Sequence, residues 1–460
     1  MRPWEAYHPS TDNPWSLAKV GHLYRRAGFG ATWAELQQGL KDGPDATITR
    51  LLNGDKPDAD YERTSEFMAS ERSLSKGASG TQLAAWWLAR ILRSPHPLRE
   101  KITLFWHNHF ATSLAKVQNA RFMLGQYRLI QKFALGDFRE LLRAMTTDPA
   151  MMVWLDTIES KKGKPNENYA RELMELFSLG IGHYSEADVR EAAKAFTGYE
   201  VKDGRGVFNA KQHDDIAKTV LGKTGAWKAD DIVSICLDQP ACPKFIARKL
   251  YRFLVSDIEV APVELIDSLA EEYQKSGFDT AKLIETILRS NHFFSSDAYR
   301  QKVKSPVDFA VGIVRGLEGN VGPLPLAQAL ESLGQILFAP PSVKGWDGGP
   351  AWLNGQTLLF RQNLALALTS TEDSRFGSRC DPVTALTKHN RTTDDEVVDF
   401  LLGVVLQDAA PPAARAKVLD YLKQTKSAKT PIYWTREDTA NHRVRTAAHL
   451  TLTLPEFQLD

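Results

Sequence analysis

Cysteine is scarce in this chain of 460 residues, which carries only Cys236, Cys242 and Cys380. An odd number of cysteines without a CxxC spacing argues against a disulfide framework and against a cysteine-based zinc site. We expect three buried thiols in a reducing compartment. The sequence therefore assigns no chemistry to sulfur.

A charge excess of either sign and long apolar runs are also lacking. The 57 basic and 56 acidic residues leave a formal net charge of +1, which argues against nucleic acid or an anionic membrane surface as a partner. No apolar stretch reaches membrane-spanning length, and the first residues lack the pattern of a signal peptide. We expect no membrane insertion and a cytoplasmic protein, with periplasmic delivery beside a signal-bearing partner as the alternative.

Apolar residues recur at helical spacing through most of the chain. Ser185 to Asp188 has the pattern of a capping box, and the apolar stripe that follows ends before Gly198. The other periodic segments are 81–92, 133–145, 243–255, 263–275, 279–289, 306–317, 326–337, 396–406, 412–423 and 439–450. The sequence therefore predicts a mainly α fold, a multi-helix globular bundle.

Two segments depart from this helical pattern. Extended runs on either side of the turn-forming tripeptide 203–205 predict a small β-hairpin near 198–213. Residues 339–354 form a long loop that is fixed by proline and glycine and carries two tryptophans. The apolar periodicity then lapses between Thr369 and Asp381. We therefore expect a helical core over 1–370 and a C-terminal helical segment over 371–460 packed on it.

His107 and His109 lie in an apolar segment that follows Arg99. In a helix, His109 shares a face with apolar neighbours and His107 points about a third of a turn away. If the helix has ended, the two alternate as on a strand, a spacing that lets two imidazoles share a metal ion. The alternative is an ordinary pair of hydrogen-bonded core histidines.

A helix predicted from Asn166 to Gly180 brings Glu172 and Glu175 to one face. Paired carboxylates coordinate a hard metal ion or shift each other's pKa for acid–base work. Arg171 lies beside them and would meet negative charge on a substrate. The alternative is a solvated helix in which Arg171 forms i,i+4 ion pairs with Glu167 and Glu175.

His213 and Asp214 follow the predicted hairpin. Such a pair provides either a base with its orienting acid or two metal ligands, although neighbours in sequence need not contact each other. His183 lies in a glycine-containing loop that would expose it. It is a secondary candidate, because loop histidines are often only surface residues.

Two arginines and two tryptophans are candidate substrate-binding residues. The guanidinium groups of Arg25 and Arg26 match carboxylate, phosphate and sulfate, although pairing with the chain's own acids is the simpler interpretation. Trp346 and Trp352 lie in the loop 339–354. Their rings would stack on a sugar or fill the core.

Five separated motifs resemble the bacterial family of the domain of unknown function 1800 (DUF1800). They are residues 22–30, 106–110, 166–176, 213–222 and 337–346, and the resemblance runs from about Gly21 to Asn363. It implies a partner protein similar to alkaline phosphatases and sulfatases, since the two families are usually encoded side by side. In many relatives a histidine stands where this chain has Phe177, which puts a shared metal site in doubt here.

Together these patterns predict an enzyme, a metal-assisted or His/Glu acid–base hydrolase acting on an anionic or polysaccharide-like substrate. A divalent metal ion would be bound by His107, His109 and Glu172. The residues expected to converge beneath the Trp346 loop are His107, His109, Glu172, Glu175, His213 and Asp214. The alternatives are a non-catalytic module that binds a polymer or the phosphatase-like partner, and a protein similar to non-haem iron oxygenases.

Overall fold

The computed structural model describes residues 4–56, 59–69, 80–407, 410–425 and 435–460. Over these ranges the chain forms 22 α-helices and two small antiparallel sheets of two strands each. The mainly α fold predicted from the apolar periodicity is therefore confirmed.

The helices of the N-terminal half precede the strands in the chain. They are α1 (Leu17–Arg26), α2 (Trp33–Asn53), α3 (Ala59–Met68), α4 (Gly80–Arg93), α5 (Pro97–His109), α6 (Leu114–Val117), α7 (Ala120–Phe133), α8 (Phe138–Thr146), α9 (Pro149–Trp154), α10 (Asn168–Glu172) and α11 (Glu186–Ala195). The strands are β1 (Tyr199–Lys202), β2 (Arg205–Phe208), β3 (Lys218–Val220) and β4 (Lys223–Gly225).

The remaining helices follow the strands. They are α12 (Ala229–Leu237), α13 (Ala241–Leu254), α14 (Val263–Lys275), α15 (Thr280–Arg289), α16 (Pro306–Gly316), α17 (Pro323–Ser332), α18 (Gly355–Thr369), α19 (Pro382–Lys388), α20 (Asp394–Val405), α21 (Pro412–Thr425) and α22 (Arg436–Leu452).

Local side-chain chemistry sets several of these boundaries. Ser185 Oγ accepts a hydrogen bond from Asp188 N at 3.2 Å, and the Asp188 carboxylate accepts one from Ser185 N at 2.9 Å. This capping box starts α11 as the sequence predicted. Gly198, beyond the end of α11, has a φ of 82°, a conformation that glycine adopts without strain.

The hairpin predicted near 198–213 is formed by β1 and β2. Asp203 and Gly204 connect the strands with φ values of 51° and 73°, the twist that suits a two-residue hairpin loop. A second hairpin, β3–β4, turns at Leu221 and Gly222 in the same way. The sequence analysis did not predict this second hairpin, because its strands have three residues each.

Helix α5 lies between two apolar clusters. Leu98, Ile102 and Trp106 belong to the first, with side chains of α1, α8 and α11–α15. Leu104 belongs to the second, with side chains of α4, α16–α18 and α20–α22. Helices α18 and α22 pack together in the second cluster, so residues on both sides of position 370 contribute to one core.

Glu100 of α5 is 1 % exposed and accepts hydrogen bonds from several elements. The Tyr127 hydroxyl lies 2.9 and 2.8 Å from its two oxygens, and Trp87 Nε1 donates at 3.1 Å. Arg90 Nε and Gln131 Nε2 donate at 3.3 and 3.0 Å. These donors stabilise a charge that would be costly to bury alone.

Lys101, the next residue of α5, is also 1 % exposed. Its ammonium forms an ion pair with Asp308 of α16 and donates to Arg25 O at 3.2 Å. Burial raises the pKa of Asp308, but the charges of Lys101 and Lys302, together with hydrogen bonds from Lys101 and Ser305, bring the pKa below its ordinary value. The pair therefore connects α5, α1 and α16 inside the molecule.

We expect Asp308→Asn to destabilise the fold by about 3 kcal/mol, because it leaves the Lys101 ammonium buried and unpaired. Urea unfolding at pH 7 measures this loss. Because the folded pKa of Asp308 is depressed, its stabilisation is present above about pH 4 and is lost as the pH falls through the folded value.

The exposed ion pair of Lys223 and Asp238 provides the control. Asp238→Asn should change the free energy of unfolding by at most about 1 kcal/mol, as is usual for surface pairs. Equal stability of Asp308→Asn and the unmodified chain would show that the buried pair contributes nothing.

Candidate functional site

A cleft of about 740 Å³ opens along helix α13. Residues 175–183 and the loop 344–349 form further walls, and α5 contributes Phe105 and Asn108. This volume is in the range of small-molecule binding sites. Of the residues proposed from the sequence, Glu175, His183 and Trp346 line it.

The backbone beside the cleft forms a π-helix. After α10, residues Leu173–Ser178 form one wide turn, in which Ser178 Oγ donates to Leu173 O at 2.5 Å. Turns of this kind are rare in proteins, and those that occur are often found at functional sites. The regular helix predicted over 166–180 is therefore wrong in this part. The π-turn brings Glu175 to the cleft, whereas Glu172 is not among the lining residues.

Glu172 and Glu175 interact electrostatically, as expected for a carboxylate pair. Burial and then the charge of Glu175 raise the pKa of Glu172 to about 6, opposed by Arg171. Glu175 Oε2 accepts a hydrogen bond from the Tyr184 hydroxyl at 2.5 Å. Burial, and then this contact with Glu175, raise the pKa of Tyr184.

Arg171 is engaged by other acids of the chain. Its guanidinium donates to both oxygens of Glu186 at 2.7 and 2.8 Å, and to Glu167 at 3.2 Å. The Glu167 contact is the i,i+4 pair of the simpler interpretation. Arg171 is not among the residues that line the cleft, so it is not aimed at a ligand there.

His109 is a buried core histidine. Its Nε2 hydrogen bonds to the carbonyl oxygen of Phe177 at 3.1 Å, and its ring lies 5.2 Å from Trp106 and 4.5 Å from Phe110. Burial and the charge of Lys249 hold its pKa well below the ordinary value. The imidazole is therefore neutral and contacts the π-turn through the backbone.

His107 contacts a different set of aromatic rings. It lies 5.2 Å from Trp87, 5.6 Å from Phe338 and 5.8 Å from Trp346. Burial lowers its pKa to about 3. His107 therefore packs toward the second apolar cluster, whereas His109 packs within the first.

The predicted metal centre of His107, His109 and Glu172 is not assembled. The two imidazoles lie among different rings, and Nε2 of His109 is used by a backbone carbonyl. Over the described ranges, no group of three or more His, Cys, Asp or Glu side chains is arranged to hold a metal ion. These donors do not fit a divalent cation.

His213 and Asp214 bind the loop after α11. His213 Nδ1 lies 3.0 Å from Thr197 O, and Asp214 N donates to Thr197 Oγ1 at 2.7 Å. The Lys218 ammonium donates to Asp214 O at 2.6 Å. Neither His213 nor Asp214 lines the cleft, so the structure does not bring them to this cleft with Glu175.

Arg25 and Arg26 are buried at the end of α1. Arg26 donates to Ala298 O at 2.8 Å and to Asp460 O at 3.1 Å, and Arg25 donates to the Gln407 side chain. They connect α1 with later segments of the chain. Because neither lines the cleft, the structure does not place them as ligand-binding residues there.

The two tryptophans of the loop 339–354 have different surroundings. Trp346 N donates to Asn108 Oδ1 at 2.7 Å, and the indole lines the cleft. Gly345 has a φ of 84°, and a Cβ there would lie 2.2 Å from Asn108 Oδ1. Both tryptophans are buried members of the second cluster, Trp346 at 7 % exposed and Trp352 at 9 %. Trp346 therefore belongs to the core and also borders the cleft, whereas Trp352 fills the core.

The sequence analysis missed the basic stripe of α13. Lys244, Arg248 and Arg252 follow one another at intervals of four residues, so they share one face of the helix, and all line the cleft. Lys244 pairs with Asp267 at 2.8 Å. Arg252 donates to the backbone oxygen of Asp347 at 3.1 Å. The spacing was visible in the sequence as a possible anion-binding face.

Lys249 is the second feature of α13 that the sequence analysis missed. Its ammonium lies 3.4 Å from Leu176 O and 5.1 Å from the centre of the Phe245 ring. Burial and then the charge of Arg252 lower its pKa to about 7. Perturbed groups in a cleft mark candidate functional sites.

We expect the pKa of Glu172 to be visible in the pH dependence of stability. Its folded pKa lies above the unfolded value, so the stability that it contributes is lost as the pH rises from about 4.5 to about 6. Glu172→Gln should remove this loss of stability with rising pH. Melting temperatures of both proteins between pH 4 and 7 measure the difference.

Glu186→Gln is the matched control. Arg171 holds the pKa of Glu186 below its ordinary value, so its contribution is lost as the pH falls rather than as it rises. The same pH dependence in Glu172→Gln and the unmodified chain would contradict the raised pKa of Glu172.

Comparison with known proteins identifies the family. The model of the family described as "Protein of unknown function (DUF1800)" matches residues 22–459, nearly a hundred residues beyond Asn363, where the resemblance noted in the sequence ends. No curated protein and no solved structure matches the chain. Over the described ranges no helix has both the length and the apolarity to cross a membrane. The chain therefore belongs to the DUF1800 family.

Proposed function

We propose that the cleft binds an acidic, saccharide-like ligand and that the protein acts on it by acid–base chemistry. The observation that carries this proposal is the set of three basic side chains, Arg248, Lys249 and Arg252, on one helix beside the cleft. None of them takes part in an ion pair among the described residues. Arginine forks suit carboxylate, phosphate and sulfate groups.

The other cations of the cleft are neutralised locally. Lys302 pairs with Asp257 at 3.2 Å and Lys344 with Asp347 at 2.7 Å, as Lys244 does with Asp267. The unpaired charge therefore comes from α13. Glu175 is the one lining acid outside these pairs, so basic groups exceed acidic ones in the cleft, and an excess of one sign attracts ligands of the opposite sign.

The apolar lining supports a ligand with a flat apolar face. Phe105, Phe245, Phe253 and Trp346 contribute to the walls. Aromatic rings beside a few polar groups are typical of sites that bind a ring-shaped ligand and fix its orientation. An acidic sugar combines such a face with negative charge.

Glu175 supports the acid–base part of the proposal. Among the residues predicted to be catalytic, it is the one that lines the cleft, and the Tyr184 hydroxyl orients its carboxylate. A carboxylate held by a phenol near the ligand can exchange protons with it. Hydrolysis of the ligand stays a prediction, as does the phosphatase- or sulfatase-like partner.

We expect the double variant Arg248→Met and Arg252→Met to bind acidic saccharides at least about tenfold more weakly, a loss of ~1.4 kcal/mol. Titration calorimetry with an oligosaccharide of galacturonic acid measures the affinity. Its uncharged methyl ester should bind the unmodified chain weakly. Raising the salt concentration should weaken acidic-ligand binding, because the site is solvent-exposed.

Arg205→Met is the matched control, since Arg205 is exposed on β2 away from the cleft. Its affinity should equal that of the unmodified chain. Equal loss in the control and in the double variant, or equal binding of the acid and its ester, would refute the anionic site.

Glu175→Gln tests the chemistry. On acidic polysaccharides bearing uronate, sulfate or phosphate groups, we expect the unmodified chain to release reducing ends or free anion. Glu175→Gln should abolish release and keep binding, because it preserves volume while removing the ionisable group. Binding by the unmodified chain without release from any of them would favour the non-catalytic binding module.

A further inference from the structure

Lys249 is a lysine beside the cleft whose amine has no acidic partner. Among the described residues, no carboxylate lies within ion-pair distance of its Nζ. The contacts of this nitrogen are the weak one to Leu176 O and the face of the Phe245 ring. A surface lysine would be solvated or paired, as Lys244 is on the same helix.

Charged groups face Lys249 from several elements. Arg252 lies on the same helix as Lys249 and lowers the pKa of Lys249. The charge of Lys249 in turn lowers the pKa of His109 in α5. Glu175 of the π-turn lines the same cleft, with Tyr184 bound to it. The ion pairs Lys302–Asp257 and Lys344–Asp347 also line this cleft.

We propose that Lys249 is an amine nucleophile that forms an imine with the carbonyl carbon of an acidic aldehyde or 2-oxo acid bound in the cleft. The inference rests on the proposed acidic-ligand site, because Arg248 and Arg252 would hold the acid group beside the amine. Open-chain sugar acids carry both an acid and a carbonyl group. In this reaction the amine of Lys249, and not a water molecule, attacks the carbonyl carbon.

The amine of Lys249 and the carbonyl compound supply all the atoms and electrons of the reaction. The lone pair of Nζ forms the N–C bond, and the carbonyl π electrons move to oxygen. The two hydrogens of the neutral amine pass to that oxygen, which leaves as water while the C=N bond forms. No oxidant, reductant or metal ion is consumed.

The surroundings of Lys249 keep its amine in the reactive form. With a pKa of about 7, about half of the groups are neutral at pH 7. For an ordinary lysine the neutral fraction is on the order of a thousandfold smaller. Desolvation beside other cations is a known way to activate a lysine nucleophile.

Reductive trapping tests the inference on the full chain. The protein is incubated with glyoxylate and cyanoborohydride, which converts an imine to a stable carboxymethyl-lysine, and modified sites are mapped by peptide mass spectrometry. We expect Lys249 to be labelled at least about tenfold faster than Lys244 at pH 7. Its rate should rise with pH and level off above about pH 7.

Two substitutions and a second probe make the result decisive. Lys249→Met and Lys249→Arg should lose the fast labelling, and melting temperatures near that of the unmodified chain show that both fold. Formaldehyde has no acid group, so its labelling rate reports the reactivity of the amine alone. The double variant Arg248→Met and Arg252→Met should slow labelling by glyoxylate more than labelling by formaldehyde, because both probes lose the pKa-lowering effect of Arg252 and glyoxylate alone also loses its acid-binding groups.

The outcomes separate this inference from the proposed function. Labelling of Lys249 no faster than Lys244 with both probes overturns the inference, even where acidic-saccharide binding still depends on Arg248 and Arg252. Fast labelling by formaldehyde without preference for glyoxylate supports a reactive amine but overturns its reaction with an acidic ligand. Fast labelling by glyoxylate that depends on the two arginines supports both.

Discussion

The burial of two opposite charges side by side on α5 is the constraint on which the rest of the structure depends. Glu100 and Lys101 point in directions about a third of a turn apart, and each is 1 % exposed. Taking each charge out of water costs several kcal/mol unless its partners are in place. The partners lie on α4 and α7 for Glu100 and on α1 and α16 for Lys101. This fixes both the rotation and the position of α5, and so places His107, Asn108 and His109.

Much of the fold could be predicted because it depends on local patterns. The apolar periodicity located α13, α14 and α16 to within a few residues, and Ser185 marked the start of α11. One predicted helix, 133–145, corresponds in the structure to the last residue of α7, a short connection and nearly all of α8. The reason is Asp137, whose carboxylate accepts from Arg139 N at 2.8 Å and starts a new helix. The periodic apolar residues concealed that cap.

The candidate site was harder to predict because its position depends on packing. Sequence analysis favoured rare residue types, and it found Glu175 and Trp346. His107 and His109 were also rare residues in a distinctive motif, yet part of their surroundings comes from distant segments, since the Phe338 ring packs near His107 and the carbonyl oxygen of Phe177 binds His109. The π-turn is a property of the backbone and left no mark in the residue pattern. Lys249 looks ordinary in sequence, since burial by other elements sets its pKa.

The contact between Gly345 and Asn108 has a consequence for kinetics. Asn108 accepts from Trp346 N and also donates to Trp346 O at 3.4 Å, and the missing side chain of Gly345 lets the two segments approach this closely. The loop beside the cleft is thereby fixed to α5, so it is a rigid wall rather than a moving lid. Enzymes with mobile lids are often limited by opening and product release. In this protein, a ligand would enter and leave without waiting for that loop, and exchange would be set by diffusion and by the strength of its contacts.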